Sequence, residues 1–329
     1  MLKNKSTWVL VDSRTGNNNQ SLALASLLDL NYKSKQLMYN FLGVFPNWLG
    51  FGLSTLTNKR ELLSDPLPEI IISAGRRCAA IAAALKQIKP SLRIIQLMQP
   101  GMSYEPFDVI ILPKHDDKPP VHYLPRTIFV SGAISYYPLA EQAKDRKHWL
   151  NKFADLPAPR IGVLIGGVAK GCSFTVDHAA EMMDQLIEVA LSKKASLMIS
   201  TSRRTPKDVL AYIKERLVKF SGRYFLNDIN AQVENPFRGI LTVADYLVVT
   251  GDSVSMCSEA AEMGKPLYIF FSDDQIGEKH MTFLRALFKD NIARRLMHPL
   301  PEFVLNKGGT GLEGIKSKVE ALLYYNSND

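Results

Sequence analysis

Val248-Val249-Thr250-Gly251-Asp252-Ser253-Val254-Ser255-Met256-Cys257-Ser258-Glu259-Ala260-Ala261-Glu262-Met263-Gly264-Lys265-Pro266 decides the reading of this chain. It reads as a buried strand, a turn of small residues, a helix start and a Gly-Lys-Pro stop. A Gly/Ser/Thr turn between a strand end and a helix N-terminus leaves backbone N–H groups unpaired and hydroxyls free. That is an anion site, most often for phosphate. Glu259 falls within the first turns of the helix, where a carboxylate reaches sugar hydroxyls beside a bound diphosphate. The stretch therefore suggests a nucleotide-sugar pocket.

The same alternation runs through the chain. Short apolar runs at 8–11, 70–73, 94–98, 109–112, 128–130, 161–165, 197–201, 246–250 and 267–271 are separated by helical patterns. Most runs are continuous, as strands buried on both faces of a parallel sheet require. The clearest helix spans about 177–193, with Ala179, Met182, Met183, Leu186, Ile187, Ala190 and Leu191 on one face and Thr175 or Asp177 as its cap. Alternating strands and helices define an α/β fold whose ligands lie at the carboxyl ends of the strands. A proline-rich break at 155–160 precedes a fresh strand ending in Gly166-Gly167, so the expected domains are 1–156 and 157–329. Ile315, Val319, Leu322 and Leu323 share one face of a docking helix over 312–325.

Composition narrows the partners. Of 329 residues, 46% are hydrophobic and 22% charged, a soluble globular balance. No apolar run suits a signal peptide or a bilayer span, so a cytoplasmic protein is expected. Cys78, Cys172 and Cys257 show no paired spacing and read as reduced thiols. The net charge of +8 favours anionic partners, but no recognition-helix or RNA-binding signature accompanies it, which sets nucleic acid aside. No Walker A loop, Ser-His-Asp combination or metal-ligand cluster is present, so neither metal nor cofactor is expected.

Several loops join the opening stretch at strand ends. Gly166, Gly167 and Lys170 offer backbone amides and one cation. Ser202 and Arg203 offer a hydroxyl and a guanidinium suited to diphosphate oxygens. Asn235, in Glu234-Asn235-Pro236-Phe237, frames a base. Ser253, Ser255, Met256 and Glu259 complete the donor set. In the first half, Asp12 ends the first strand, and Gly16, Asn17 and Gln20 follow it. Gly75 and Arg76 repeat the small-then-basic pattern; these five line an acceptor. His115 and Asp12 are the candidate bases for deprotonating that acceptor. The irregular aromatic stretch 41–53, flanked by Lys33, Lys35, Lys59 and Arg60, suits an anionic membrane surface or a lipid-linked acceptor, or else packs on its own domain.

In sequence order, Asp12-Ser13-Arg14-Thr15-Gly16-Asn17-Asn18-Asn19-Gln20, Ser73-Ala74-Gly75-Arg76-Arg77, Lys114-His115-Asp116, Ile165-Gly166-Gly167, Thr201-Ser202-Arg203-Arg204-Thr205-Pro206, Glu234-Asn235-Pro236 and Thr250-Gly251-Asp252-Ser253-Val254-Ser255-Met256 form an ordered set. That set resembles a bacterial member of the mitochondrial fission "elongate mitochondria" family, named from its plant representatives. The family is more distantly similar to GT-B glycosyltransferases and nucleotide-sugar epimerases. The resemblance implies two Rossmann-like domains with parallel sheets facing across a cleft, and a nucleotide-sugar donor on the C-terminal side. In the plant proteins the resemblance implies an adaptor role. The arginines and helix dipole of the donor loops, with the 41–53 stretch, lead instead to metal-independent transfer of a sugar to a cell-envelope or lipid-linked acceptor, peripheral on the inner face of the cytoplasmic membrane. Epimerisation, or a non-catalytic adaptor role on the same fold, are the alternatives.

Overall fold

The computed structural model describes residues 2–114, 116, 120–228, 234–302, 312 and 314–325. They form two compact units, 1–136 with 311–329, and 137–310.

The first unit opens with β1 (Thr7–Val11), α1 (Thr15–Leu27) and β2 (Tyr32–Gln36), followed by the short α2 (Lys59–Leu62). It continues with β3 (Ile70–Ala74), α3 (Gly75–Ile88), β4 (Arg93–Leu97), β5 (Val109–Pro113) and β6 (Thr127–Val130). The six strands form one sheet in the order β2-β1-β3-β4-β5-β6, and every pairing is parallel. Sequences such as Ile-Ile-Ile-Ser-Ala are buried at every position because helices cover both faces of the sheet. Ile72 pairs with Val9 on one side and Ile95 on the other.

The second unit comprises α4 (Leu139–Lys152), β7 (Arg160–Leu164), α5 (Val176–Ser192), β8 (Ser196–Ser200), α6 (Lys207–Val218) and β9 (Tyr224–Asn227). There follow α7 (Phe237–Val243), β10 (Tyr246–Thr250), α8 (Val254–Ala261), β11 (Leu267–Phe270), α9 (Glu278–Lys289) and β12 (Arg294–Arg295). Its sheet is again six-stranded and parallel, ordered β12-β11-β10-β7-β8-β9. The last helix, α10 (Ile315–Tyr325), returns to the first unit. The fold is thus the α/β class that the apolar runs predict, with all nine expected strands present.

Two expected boundaries move. The units divide at 136/137 and not at 156/157, because α4 packs on α7. Trp149 lies over Gly239, where an added Cβ would stand 2.2 Å from the indole, and Phe153 and Leu156 join the same core. The tail helix carries its expected face, but Ile315, Val319 and Leu323 bury into the core of the first unit. Thr175 is the cap of α5: its hydroxyl accepts from the His178 N–H, and the His178 ring accepts from the Thr175 N–H. The three cysteines are buried and free. No helix among the described residues is long and apolar enough to cross a membrane.

Candidate functional site

At the carboxyl edge of the second sheet, three loops are stitched to one another. β10 ends at Thr250, whose buried hydroxyl accepts from the Gly166 N–H at 2.8 Å. Two residues on, the Asp252 side chain is wholly buried. Its Oδ2 accepts from the Gly167 N–H at 2.9 Å and lies 3.0 Å from Arg204 Nη1. Its Oδ1 has no hydrogen-bond partner among the described residues. Ser202 and Thr205 both donate their hydroxyls to the Gly166 carbonyl at 2.6 Å. The Val168 N–H donates to the Arg204 carbonyl at 3.1 Å.

This packing explains the two glycines. A Cβ on Gly166 would stand 2.1 Å from Asp252 Oδ2, and one on Gly167, at φ +150°, 2.1 Å from the Arg204 carbonyl oxygen. Gly166, Gly167 and Ser202 do converge with the opening stretch, as expected. They converge as partners of one another, however, and the amides expected to meet a phosphate are satisfied within the protein.

The beginning of α8 is more open. Ser253 caps it, its Oγ accepting from the Met256 N–H at 3.4 Å. The helix ladder begins with the Cys257 N–H donating to the Ser253 carbonyl at 3.0 Å. The N–H groups of Val254 and Ser255 precede that bond and add to the positive end of the helix dipole. One turn inward, Ser255 Oγ donates to Glu259 Oε1 at 2.9 Å. Burial raises the pKa of the Glu259 carboxyl, against the Ser255 hydrogen bond and the charge of Arg238. Met256 is half-buried against the core. Lys170 and Arg203, on the loops after β7 and β8, are exposed.

Two residues of the segment have structural duties. Asn235 Oδ1 accepts from the Phe237 N–H at 3.0 Å and so closes the entry to α7. Beside it, Glu234 is held by Lys152 and by His148, the latter at 3.0 Å. Lys265, from the Gly-Lys-Pro stop, donates to the carbonyls of Leu241, Thr242 and Ala244 at 2.7–2.8 Å, which caps the end of α7.

In the first unit, Asp12 is buried and engaged. Its Oδ1 accepts from the Arg14 N–H at 2.7 Å and its Oδ2 pairs with Arg77 Nη2 at 2.7 Å. Arg77 also lies over the Tyr39 ring, 4.7 Å from its centroid. The Asn18 amide brackets the Asp12 backbone, accepting from its N–H and donating to its carbonyl. Asn17 donates to the Ala74 carbonyl at 3.4 Å and lies against Gly75. Gln20 reaches the Gly16 carbonyl and accepts from the Ile134 N–H. Arg76 turns to the carbonyls of Val44 and Phe45. Gly16, Asn17, Gln20, Gly75 and Arg76 therefore do gather at the carboxyl edge of β1 and β3. His115 lies outside the described residues. Among the described residues, no group of three or more His, Cys, Asp or Glu side chains is placed to hold a metal ion.

One neighbour has no signal in the sequence. His280, on the first turn of α9, is half-buried beside Asp252 and Arg204; burial lowers its pKa, and the Asp252 charge opposes that shift. Nothing near position 280 marks it in sequence, because only the tertiary fold brings α9 to the end of β10.

The model of the mitochondrial fission ELM1 family matches residues 15–307. The chain belongs to that family. A Rickettsia prowazekii (strain Madrid E) protein, the uncharacterized RP120, is 34% identical over 318 residues, covering 87% of this chain and 89% of that protein. The Arabidopsis thaliana mitochondrial fission protein ELM1 is 29% identical over 256 residues, covering 72% of this chain and 58% of the plant protein. Among solved structures, a UDP-glucosyltransferase from Polygonum tinctorium capable of glucosylating indoxyl has a TM-score of 0.53 at 12% identity, covering 99% of this chain and 95% of that one. The UDP-GlcNAc 2-epimerase of Neisseria meningitidis, solved with UDP-GlcNAc, has a TM-score of 0.51 at 12% identity, covering 98% and 92%. At that identity the likeness is one of fold. This ELM1-family chain thus has the GT-B-like build of glycosyltransferases and epimerases, as its ordered motifs suggest. Its α8 terminus, Ser255–Glu259 pair and exposed Lys170 and Arg203 together offer helix dipole, hydroxyl, carboxyl and cation chemistry along one sheet edge.

Proposed function

We propose that this ELM1-family protein is a metal-independent glycosyltransferase that takes its sugar from a nucleoside diphosphate and works at the cytoplasmic face of a membrane on a cell-envelope or lipid-linked acceptor. The observation that carries the reading is the start of α8. An open helix N-terminus and a Ser255-held Glu259 lie one turn apart, the spacing of a diphosphate and its ribose. The acceptor hydroxyl passes its proton to His115, the candidate base that follows β5 in sequence, and attacks the anomeric carbon while the bond from that carbon to the diphosphate oxygen breaks. The α8 dipole, Lys170 and Arg203 stabilise the charge that develops on the leaving diphosphate. No cofactor takes part.

Isothermal titration with a panel of nucleoside diphosphates and their sugars tests the donor site; no binding by any member of the panel would sink it. Product analysis by NMR separates transfer from 2-epimerisation.

A second reading, a nucleotide-binding adaptor without transferase chemistry, is favoured by one contact. Asp12 is buried with both carboxylate oxygens already engaged, one by the Arg14 N–H and the other by Arg77, so neither is presented to an acceptor hydroxyl. Nucleotide binding with no consumption of any sugar donor, across envelope and lipid acceptors, would select this reading.

A further inference from the structure

We propose that segment 38–60 of the first unit is a docking loop that seats the protein on an anionic lipid bilayer. The loop has a closed neck. Tyr39 bridges Leu56 in antiparallel fashion, the Thr57 N–H donates to the Met38 carbonyl at 2.8 Å, and the Asn40 N–H donates to the Thr55 carbonyl at 2.8 Å. Beyond the neck the chain makes three single turns of 3-10 helix, at Phe41–Val44, Asn47–Leu49 and Gly52–Thr55.

Polarity in these turns is inverted relative to an ordinary surface loop. The polar groups face the protein: Asn47 donates to the carbonyls of Arg76 and Pro100 at 2.7 and 2.9 Å, and the Arg76 guanidinium holds those of Val44 and Phe45. Leu53 and Leu56 pack onto the core, but most of the apolar side chains at the tip face water. Phe41, Val44 and Trp48 are 75%, 78% and 77% exposed. Of the 18 large hydrophobic residues exposed among the described residues, seven fall between Met38 and Phe51. A concentration of this kind marks a contact surface, because isolated apolar residues scatter over a protein exterior. The inward hydrogen bonds fix the loop beforehand, so docking orders little chain.

Charge selects the occupant. From residue 30 to residue 60 the sequence has four cations, Lys33, Lys35, Lys59 and Arg60, and no Asp or Glu. Lys33 and Lys35 share Asp65, at 3.6 and 2.8 Å. Lys59 and Arg60, where the chain leaves the neck, are exposed and make no ion pair with any described residue. Aromatic residues with adjoining cations match the boundary between acyl chains and anionic headgroups. A second copy of the chain would set two like-charged rims against each other. Because Arg76 and Pro100 anchor the loop beyond the ends of β3 and β4, the bilayer would lie beside Gly75 and Arg76. The docking itself does not depend on the donor site of the second unit.

Trp48 supplies the probe, since Trp8 and Trp149 are 3% and 5% exposed. The full chain is mixed with phosphatidylcholine vesicles, with and without phosphatidylglycerol, and followed by sedimentation and tryptophan emission. Co-sedimentation with the anionic vesicles and a blue shift are expected. Trp48→Glu and the double variant Lys59→Glu/Arg60→Glu should each lower affinity on the order of tenfold, at an unchanged thermal midpoint. Sedimentation of wild type and Trp48→Glu to the same extent, or no binding to anionic vesicles, would overturn the proposal. So would a lipid-free dimer, detected by light scattering, that Trp48→Glu dissociates. Nucleotide binding is measured on the same samples, so a failure of docking is distinguishable from a failure of the donor site.

Discussion

Asp252 and Gly167, 85 residues apart in sequence, are joined by a 2.9 Å hydrogen bond from the glycine N–H to a wholly buried carboxylate. Arg204 supplies the countercharge at 3.0 Å. One carboxylate thus ties the loops after β7, β8 and β10 into a single block.

Removing only the countercharge should be costly. Arg204→Ala leaves the buried Asp252 charge with no cation beside it and is expected to destabilise the fold by about 2–4 kcal/mol. Adding Asp252→Asn removes the stranded charge and should restore about 1 kcal/mol or more. Urea unfolding of both single variants and the double variant measures the coupling; strictly additive losses would contradict the pairing.

Two glycines of the candidate site should respond in opposite directions. Gly166→Ala drives a methyl group to 2.1 Å from Asp252 Oδ2 and is expected to cost upwards of about 2 kcal/mol. Gly16 lies on the first turn of α1 with nothing within 4 Å of its Cβ position. Gly16→Ala should therefore be neutral or stabilising by up to about 1 kcal/mol, through helix propensity. Thermal melts distinguish the two; similar losses would mean that crowding is not what constrains position 166.

Glu259 carries a pH signature. Burial raises its folded pKa above the unfolded value. Its contribution to stability is therefore present below the unfolded pKa and is lost as pH rises through the folded one. Glu259→Gln cannot ionise, so it should gain stability relative to wild type between about pH 4 and neutrality. The same change should weaken nucleoside diphosphate binding by about 1–2 kcal/mol. Denaturation across that range and titration calorimetry check the two halves; a flat stability difference would place the Glu259 carboxyl in water.

The thiols should be silent in the folded protein. Cys78, Cys172 and Cys257 are 2%, 7% and 0% exposed, and burial pushes the first up to about 12. The thiolate is the reactive form, so a disulfide reagent should label none of them quickly under native conditions and all three in denaturant. Fast native labelling of one would locate an opening in the unit that holds it.

The buried framework was legible in the sequence because strands covered on both faces are continuous apolar runs. The three strands without such a run, Tyr32–Gln36, Tyr224–Asn227 and Arg294–Arg295, each sit at a sheet edge. An edge strand is covered less and leaves a weaker pattern; Tyr-Lys-Ser-Lys-Gln has no fully buried position. The candidate site was legible to a similar depth. The Gly-Gly, Ser-Arg and Gly-Asp-Ser motifs do meet. What consumes their donors was hidden, since Thr250 and Asp252 lie more than 80 residues from the glycines they satisfy. Local motifs reveal which groups a loop can offer, and tertiary packing decides which of them remain available.

The placement of α10 bears on how the molecule is made. The sheet of the first unit is complete once Val130 has been synthesised, but Ile315, Val319 and Leu323 close its core only after the second unit has left the ribosome. The second unit is one uninterrupted segment and can fold as it emerges. The amino-terminal half must wait with an open apolar face, so truncation of the carboxyl terminus would first injure the half of the protein that was translated earliest.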